Sequence, residues 1–182
     1  MNFAAEYEAR CLENSDIRDH LPYLYEQSAG KMVIELGVRS GNSTAAFLAA
    51  GARVWSVDLI PPQVPVSWLD YDGWTFIPGD DLAHEVRDQL PRFEVDIVFI
   101  DTSHHYRQTL DELDMYAVKL RPGGRFMMHD TELERPDGAP DVDVPFPVRR
   151  AIEDWVAETG WTVEWRPGCY GLGVITKPAV MS

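Results

Sequence analysis

The sequence predicts a three-layer α/β domain on a mostly parallel, seven-stranded sheet, with an antiparallel strand at one edge near the C-terminus. Two observations carry this. Short apolar runs alternate with helical stretches, the rhythm that right-handed strand–helix–strand crossovers require. The last two apolar runs, by contrast, are joined only by a Pro-Gly-containing turn, too short for a crossover, so they pair antiparallel.

The elements follow in order. Ala4–Glu13 has helical composition, and Asn14-Ser15-Asp16 supplies N-cap residues for a second helical stretch reaching Ser28, with a break or restart at Pro22. Met32–Leu36 reads as a buried strand, Ser43–Ala50 as a helix and Arg53–Asp58 as the next strand. Leu59–Gly73 is Pro-rich and irregular, with one short helix near Trp68. Trp74–Ile77 is a short strand and Asp80–Leu90 a helix capped by Asp80 or Asp81. Val95–Ile100 is the most apolar strand, and a helix from Tyr106 to Leu120 follows it. Pro122-Gly123-Gly124 makes a turn before a strand at Arg125–Met128. Thr131–Pro147 is a loop rich in acid and proline, Val148–Thr159 an amphipathic helix, and Trp161–Trp165 and Leu172–Thr176 the closing strands. Trp155, Trp161 and Trp165 belong to the core. The whole chain, 1–182, reads as one domain. Residues 1–30 form a helical cover and 131–147 a candidate substrate lid.

Composition narrows the function. The 182 residues carry 16 Lys and Arg against 30 Asp and Glu, a formal charge of -14. A field of that sign repels phosphate backbones and anionic lipid, so neither nucleic acid nor a membrane surface is an expected partner. No apolar run is long enough to span a bilayer, and the first residues lack a secretory pattern. Cys11 and Cys169 form no CxxC pair, and reduced thiols in a cytoplasmic protein are expected. A small-molecule or glycan partner and a homo-oligomer both fit this composition.

In open α/β sheets the ligand site lies beyond the carboxyl ends of the strands. After the first strand comes Glu35-Leu36-Gly37-Val38-Arg39-Ser40-Gly41-Asn42-Ser43-Thr44, where Gly37 and Gly41 permit a sharp turn and close approach to a ligand. Arg39 stands where a dinucleotide fingerprint would have its second glycine, and no Gly-Lys-Ser/Thr follows. An ordinary strand–turn–helix connection explains the two glycines equally well. Asp58 ends the second strand, placed to accept hydrogen bonds from ribose hydroxyls or simply to be solvated. Asp80 and Asp81 follow the third strand, as adenine-binding acids or as helix caps. After the fourth strand comes the densest polar cluster, Asp101-Thr102-Ser103-His104-His105-Tyr106, and after the fifth come His129 and Asp130. Two carboxylates and an imidazole at one sheet edge suit a hard divalent cation or a general base.

With these residues in place, the sequence resembles class I S-adenosylmethionine-dependent methyltransferases. The stretch Val33–Thr44 is similar to their first motif, with Arg39 in place of a frequent central glycine. Ile100-Asp101-Thr102-Ser103-His104-His105-Tyr106, Leu120-Arg121-Pro122-Gly123-Gly124 and Met128-His129-Asp130 resemble the subgroup of macrocin-type sugar O-methyltransferases, with Thr102 where that subgroup has Gly. The resemblance implies a Rossmann-like methyltransferase sandwich over about Asp16 to Thr176. It implies S-adenosyl-L-methionine as cofactor, contacted by Glu35, Gly37, Gly41, Ser43, Asp58, Asp80 or Asp81, and Asp101. It also implies a Mg²⁺ site at Asp101 and Asp130. His104 is the first candidate base and Asp101 the second. Transfer to a hydroxyl oxygen of a small molecule or sugar is the expected activity. The alternatives are a nicotinamide-dependent oxidoreductase, which the missing G-x-G-x-x-G disfavours, and a non-catalytic relative that keeps the cofactor site.

Overall fold

The structure is a computed structural model that describes residues 1–134 and 144–179. Its elements are α1 (Phe3–Leu12), α2 (Leu21–Ser28), β1 (Met32–Leu36), α3 (Asn42–Ala49), β2 (Arg53–Asp58), β3 (Trp74–Pro78), α4 (His84–Arg87), β4 (Val95–Ile100), α5 (Tyr106–Tyr116), β5 (Leu120–His129), α6 (Pro147–Thr159), β6 (Thr162–Arg166) and β7 (Leu172–Thr176). All seven strands lie in one sheet of order β3-β2-β1-β4-β5-β7-β6, parallel from β3 through β5.

Side chains alternate along each parallel strand, and both faces are covered. Val33, Val54, Ile97, Phe99 and Met127 point to one face, against Phe3 of α1, Leu21 and Leu24 of α2 and Phe47 of α3. Ile34, Leu36, Val57, Val98, Ile100, Phe126 and Met128 point to the other, against Leu113 and Tyr116 of α5 and Ile152 and Trp155 of α6. Period-2 alternation with apolar residues in both phases is what makes these strands read as continuous hydrophobic runs. The helices α1 and α2 pack on α3.

Four expectations need correction. The antiparallel strand is not at the edge: β7 inserts between β5 and β6 and runs antiparallel to both, leaving the half-exposed β6 outermost. The helix expected over Asp80–Leu90 is reduced to α4, because Asp80 Oδ1 accepts from Leu82 N at 2.9 Å and the backbone makes a tight turn first. The Pro-Gly-Gly turn lies inside β5, where the pairing steps from Val95–Leu120 to Ile97–Arg125. Its glycines bond Lys177 on both sides, from Gly123 N to Lys177 O and from Lys177 N to Gly124 O. The break in the second helical stretch precedes Pro22, as a 3₁₀ turn at Arg18–His20, and Pro22 occupies the first turn of α2 where its missing N–H is harmless. Trp68 and Trp74 are core residues, and Cys11 and Cys169 are free and half-buried. Of the candidate lid, residues 135–143 lie outside the described residues. Among the described residues no helix is long and apolar enough to cross a membrane.

Phe126 is fully buried, with ring contacts to Trp155 and Trp161 at 6.1 Å each. Phe126→Ala is expected to lower stability by about 3–5 kcal/mol in urea unfolding.

Candidate active site

The strand order reverses between β1 and β4, so the helices that follow these strands, α3 and α5, cover opposite faces of the sheet and leave a crevice at the strand ends. A cavity of about 360 Å³ opens there. It is lined by residues 37–39, 57–60, 79, 81, 101–104 and 130, with Asp16 from the N-terminal segment and Gln108 from α5. The parallel strands β1 to β5 each contribute at or just past their carboxyl end.

The β1 and β4 loops are pressed together. Asp101 N donates to Leu36 O at 2.8 Å. Gly37 has a φ of +86°, and a Cβ there would lie 1.9 Å from the Asp101 carbonyl oxygen. Only glycine satisfies both the conformation and the approach. Past Gly37 the chain is folded by Asp58, whose Oδ2 accepts from Val38 N at 2.8 Å and Arg39 N at 3.0 Å, and whose Oδ1 accepts from Ile60 N at 3.0 Å. A carboxylate has about four acceptor positions, so Asp58 shapes the loop and still offers an acceptor to the cavity it lines.

Glu35 sits elsewhere. It is fully buried and does not line the cavity; it accepts from Ser43 Oγ at 2.6 Å, Thr44 Oγ1 at 2.8 Å and Ser56 Oγ. Trp74 Nε1 donates in turn to Ser56 Oγ. One carboxyl thus joins β1, β2, β3 and α3. Burial pushes it up to about 7 although the three hydroxyl donors pull the other way. Ser43 belongs to this network, and Gly41 caps α3 with a φ of +73° against Val64 and Trp68; neither lines the cavity.

The two acids after β3 separate. Asp80 closes the turn with Leu82 N and does not line the cavity, whereas Asp81 lines it and is 7% exposed.

The acids after β4 and β5 meet around two imidazoles. His104 Nε2 lies 3.1 Å from Asp101 Oδ1 and 2.8 Å from Asp130 Oδ2. His129, almost fully buried, points Nε2 at Cys169 O (2.8 Å) and Nδ1 toward Asp130 Oδ2 (3.2 Å) and Asp101 Oδ1 (3.5 Å). The carbonyl calls for a proton on Nε2, while Nδ1 makes no aligned hydrogen bond and feels the two carboxylates through their charge. Burial disfavours charge on both rings, but the nearby Asp101 and Asp130 carboxylates outweigh it, raising His104 to about 9 and His129 to about 11. Burial likewise acts to raise Asp101 and Asp130, and the two imidazoles overcome it and hold both below the usual carboxylate range. His20 Nε2 donates to Gly168 O at 2.7 Å, and burial pushes its pKa below the ordinary value. Arg39, His104, Asp130, Cys169 and Tyr170 all have φ between +45° and +63°. Such residues store about 1–3 kcal/mol of strain each and gather where a site demands it.

The structure therefore brings together Gly37, Asp58, Asp81, Asp101, His104 and Asp130; Glu35, Gly41 and Ser43 are buried away from the cavity, and Asp80 is exposed outside its lining. Asp101, His104 and Asp130 offer three ligand atoms within 4.8 Å of one another. The sequence places His129 in the polar edge after the fifth strand without giving it a role, and does not single out His20, Gln108 or Glu112. For Glu112 a signal exists, an acid on the face of α5 that Thr109, Leu113 and Tyr116 share.

The doubly wound sheet and its carboxyl-edge cavity define a Rossmann-like α/β fold. A methyltransferase-domain family model matches residues 34–131, more than half of the chain, and the chain belongs to that family. This sets aside the nicotinamide-dependent reading. Comparison with functionally curated proteins finds no match. Among solved structures, the O-methyltransferase from Bacillus cereus in complex with S-adenosylhomocysteine superposes with a TM-score of 0.68 at 18% identity, covering 96% of this chain and 89% of that one. The S-adenosylhomocysteine-bound methyltransferase PaMTH1 of Podospora anserina gives 0.65 at 16%, covering 96% and 86%. MycE of the mycinamycin biosynthetic pathway, in complex with Mg and S-adenosylhomocysteine, gives 0.67 at 15%, covering 97% of this chain but 54% of MycE. At these identities the likeness establishes the shared fold.

Gly37→Ala is expected to destabilise by about 3 kcal/mol or more, since backbone strain and collision with a carbonyl combine. Gly51→Ala, at φ +74° with nothing within 4 Å, is the control and is expected to cost about 1 kcal/mol. Urea unfolding of both variants checks the difference.

Proposed function

We propose that this protein is an S-adenosylmethionine-dependent methyltransferase acting on a hydroxyl oxygen of a small molecule or sugar. The observation that carries the reading is that one cavity holds both a nucleoside-type acceptor set, Asp58 and Asp81, and an acid–imidazole cluster able to handle a proton. Leu59 and Ile60 line the same cavity while remaining 73% and 69% exposed, an apolar shelf suited to a purine ring. The volume falls within the range of about 300–1,000 Å³ usual for such ligands. Family membership and the O-methyltransferases among the structural neighbours support the same reaction class.

The cofactor, when bound, supplies an activated methyl on a sulfonium leaving group. The protein has to present an acceptor oxygen in line with it, and positioning supplies much of the rate. Asp58 accepts from hydroxyls and holds the loop that Gly37 turns. We assign proton removal from the acceptor to Asp101 ahead of His104. Asp101 lines the cavity with carboxylate acceptors, while the His104 N–H is engaged by two carboxylates and Nε2 has no free lone pair. His104 and His129 then orient Asp101 and Asp130.

The same donor set fits a divalent cation, because Asp101, Asp130 and His104 converge and the His104 N–H now bridges the two carboxylates as a cation would. Asp101 and Asp130 would hold the ion, which would acidify and orient the acceptor hydroxyl.

Calorimetric titration is expected to show S-adenosylhomocysteine binding at one site per chain and no binding of NADH. Absence of S-adenosylhomocysteine binding overturns the proposal. With an acceptor found by screening hydroxylated compounds, Asp101→Ala is expected to reduce turnover about 10²–10⁴-fold, and unchanged turnover removes the base assignment. Mg²⁺ titrated into the wild type is expected to give binding that Asp130→Asn abolishes. Heats equal in both proteins would exclude the ion site.

A further inference from the structure

Two buried acids stand together in the cavity wall. Asp81 is 7% exposed and Glu112 fully buried, and the Tyr116 hydroxyl, one turn along α5 from Glu112, bonds the Asp81 carbonyl at 2.8 Å, which sets the two acids side by side. Each has one buried oxygen, Asp81 Oδ2 and Glu112 Oε2, that no donor among the described residues reaches. Two orphaned acceptors side by side would be costly, but a single proton between them satisfies both. The other Glu112 oxygen says where that proton sits. Oε1 already accepts from Thr102 Oγ1 at 2.6 Å and Gln108 Nε2 at 2.9 Å, so Oε2 is the oxygen left to carry O–H. Ser103 Oγ donates to Gln108 Oε1 at 2.6 Å. The donors then run in one direction, from Ser103 through Gln108 and Glu112 to Asp81, and Thr102, Ser103, Gln108 and Asp81 all line the cavity.

We propose that Glu112 is a positioning residue for cofactor binding: it holds the proton shared with Asp81, keeps Asp81 an ionised acceptor for an amino-bearing purine, and ties the loop after β4 to the loop after β3. This rests on the adenosyl-cofactor reading above. The surroundings agree. Burial, then the Asp80 charge, push Asp81 up to about 6, and burial, then the Asp81 charge, push Glu112 up to about 8. At neutral pH Glu112 is the protonated member. The other groups facing the pair are Asp80, Arg87 of α4 and Tyr116 of α5, whose hydroxyl stays protonated and donates to Asp81 O at 2.8 Å.

The linkage has a definite sign. Glu112 is raised in the folded state, so its contribution to stability is fully present below the unfolded-state value near 4.5 and is lost as pH rises through about 8. Glu112→Gln keeps the acceptor for Thr102 and Gln108, donates to Asp81 through its amide and cannot titrate. Thermal unfolding from pH 5 to 9 is therefore expected to show the Tm of Glu112→Gln rising relative to wild type as pH increases. A difference independent of pH overturns the shared proton. S-adenosylhomocysteine titration at pH 7 is expected to show Glu112→Ala weakened about 10-fold or more, the effect of one buried partner lost, with affinity restored in Glu112→Gln. Wild-type affinity in Glu112→Ala overturns the positioning role. Should the wild type itself fail to bind, the cofactor reading and the positioning role fall together, while the unfolding series still decides the shared proton.

Discussion

The close passage of Gly37 over the Asp101 carbonyl is the constraint on which the site depends. It occurs where the sheet reverses its winding, between β1 and β4, and brings together two loops from distant parts of the sequence. Any side chain at position 37 would force the loops apart. With them locked together, Asp58 can reach the backbone amides of Val38 and Arg39, and Asp101 is delivered beside Asp130. Glu35 reinforces the arrangement from behind. It anchors the end of β1 to α3 and to β2 through hydroxyl donors, so the loop between β1 and α3 leaves and re-enters rigid structure. A site built on such termini holds its geometry better than one built on long loops.

The fold was legible in the sequence because its signals are local and redundant. Apolar runs bounded by Gly, Pro and acids placed β1, β2, β4 and β7 to the residue. The errors came where a local rule met a tertiary one. Pro122-Gly123-Gly124 looks like a turn, and in isolation it would be, but Lys177, just past the end of β7, bonds it into the strand. A close pair of strands announces antiparallel pairing, and it was right about β6 and β7; spacing alone does not say which of the two joins β5.

The site was legible to a smaller extent, for a related reason. Strand-end acids are found by topology alone, and Asp58, Asp81, Asp101 and Asp130 all line the cavity. What the sequence could not divide was cap from ligand: Asp80 and Asp81 are interchangeable on paper, and only the turn geometry sends one to Leu82 N and the other into the wall. Glu35 and Ser43 were drawn into the expected cofactor set by their motif, whereas alternation along β1 turns Glu35 into the core. For His129 and Glu112 the sequence shows the near partners, Asp130 and Gln108, but not the remote ones, the Cys169 carbonyl and Asp81, that complete their roles.

Five carboxylates around one cavity, Asp16, Asp58, Asp81, Asp101 and Asp130, in a chain of net charge -14, pose a problem of mutual repulsion. The structure answers it differently at each position. Asp58 is met by three backbone amides, Asp81 by the Glu112 carboxyl, and Asp101 and Asp130 by the imidazoles of His104 and His129. Asp16 is met by Arg39, and both line the cavity, so among the described residues no lining Lys or Arg is left without a carboxylate partner. The cavity thus stays acidic toward an incoming ligand while its walls are individually satisfied. In the proposed reaction that asymmetry has a use: a sulfonium enters as a cation and leaves as a neutral thioether. The attraction that helps gather the donor is therefore absent from the product, and the same acids that favour binding do not hold the spent cofactor in place.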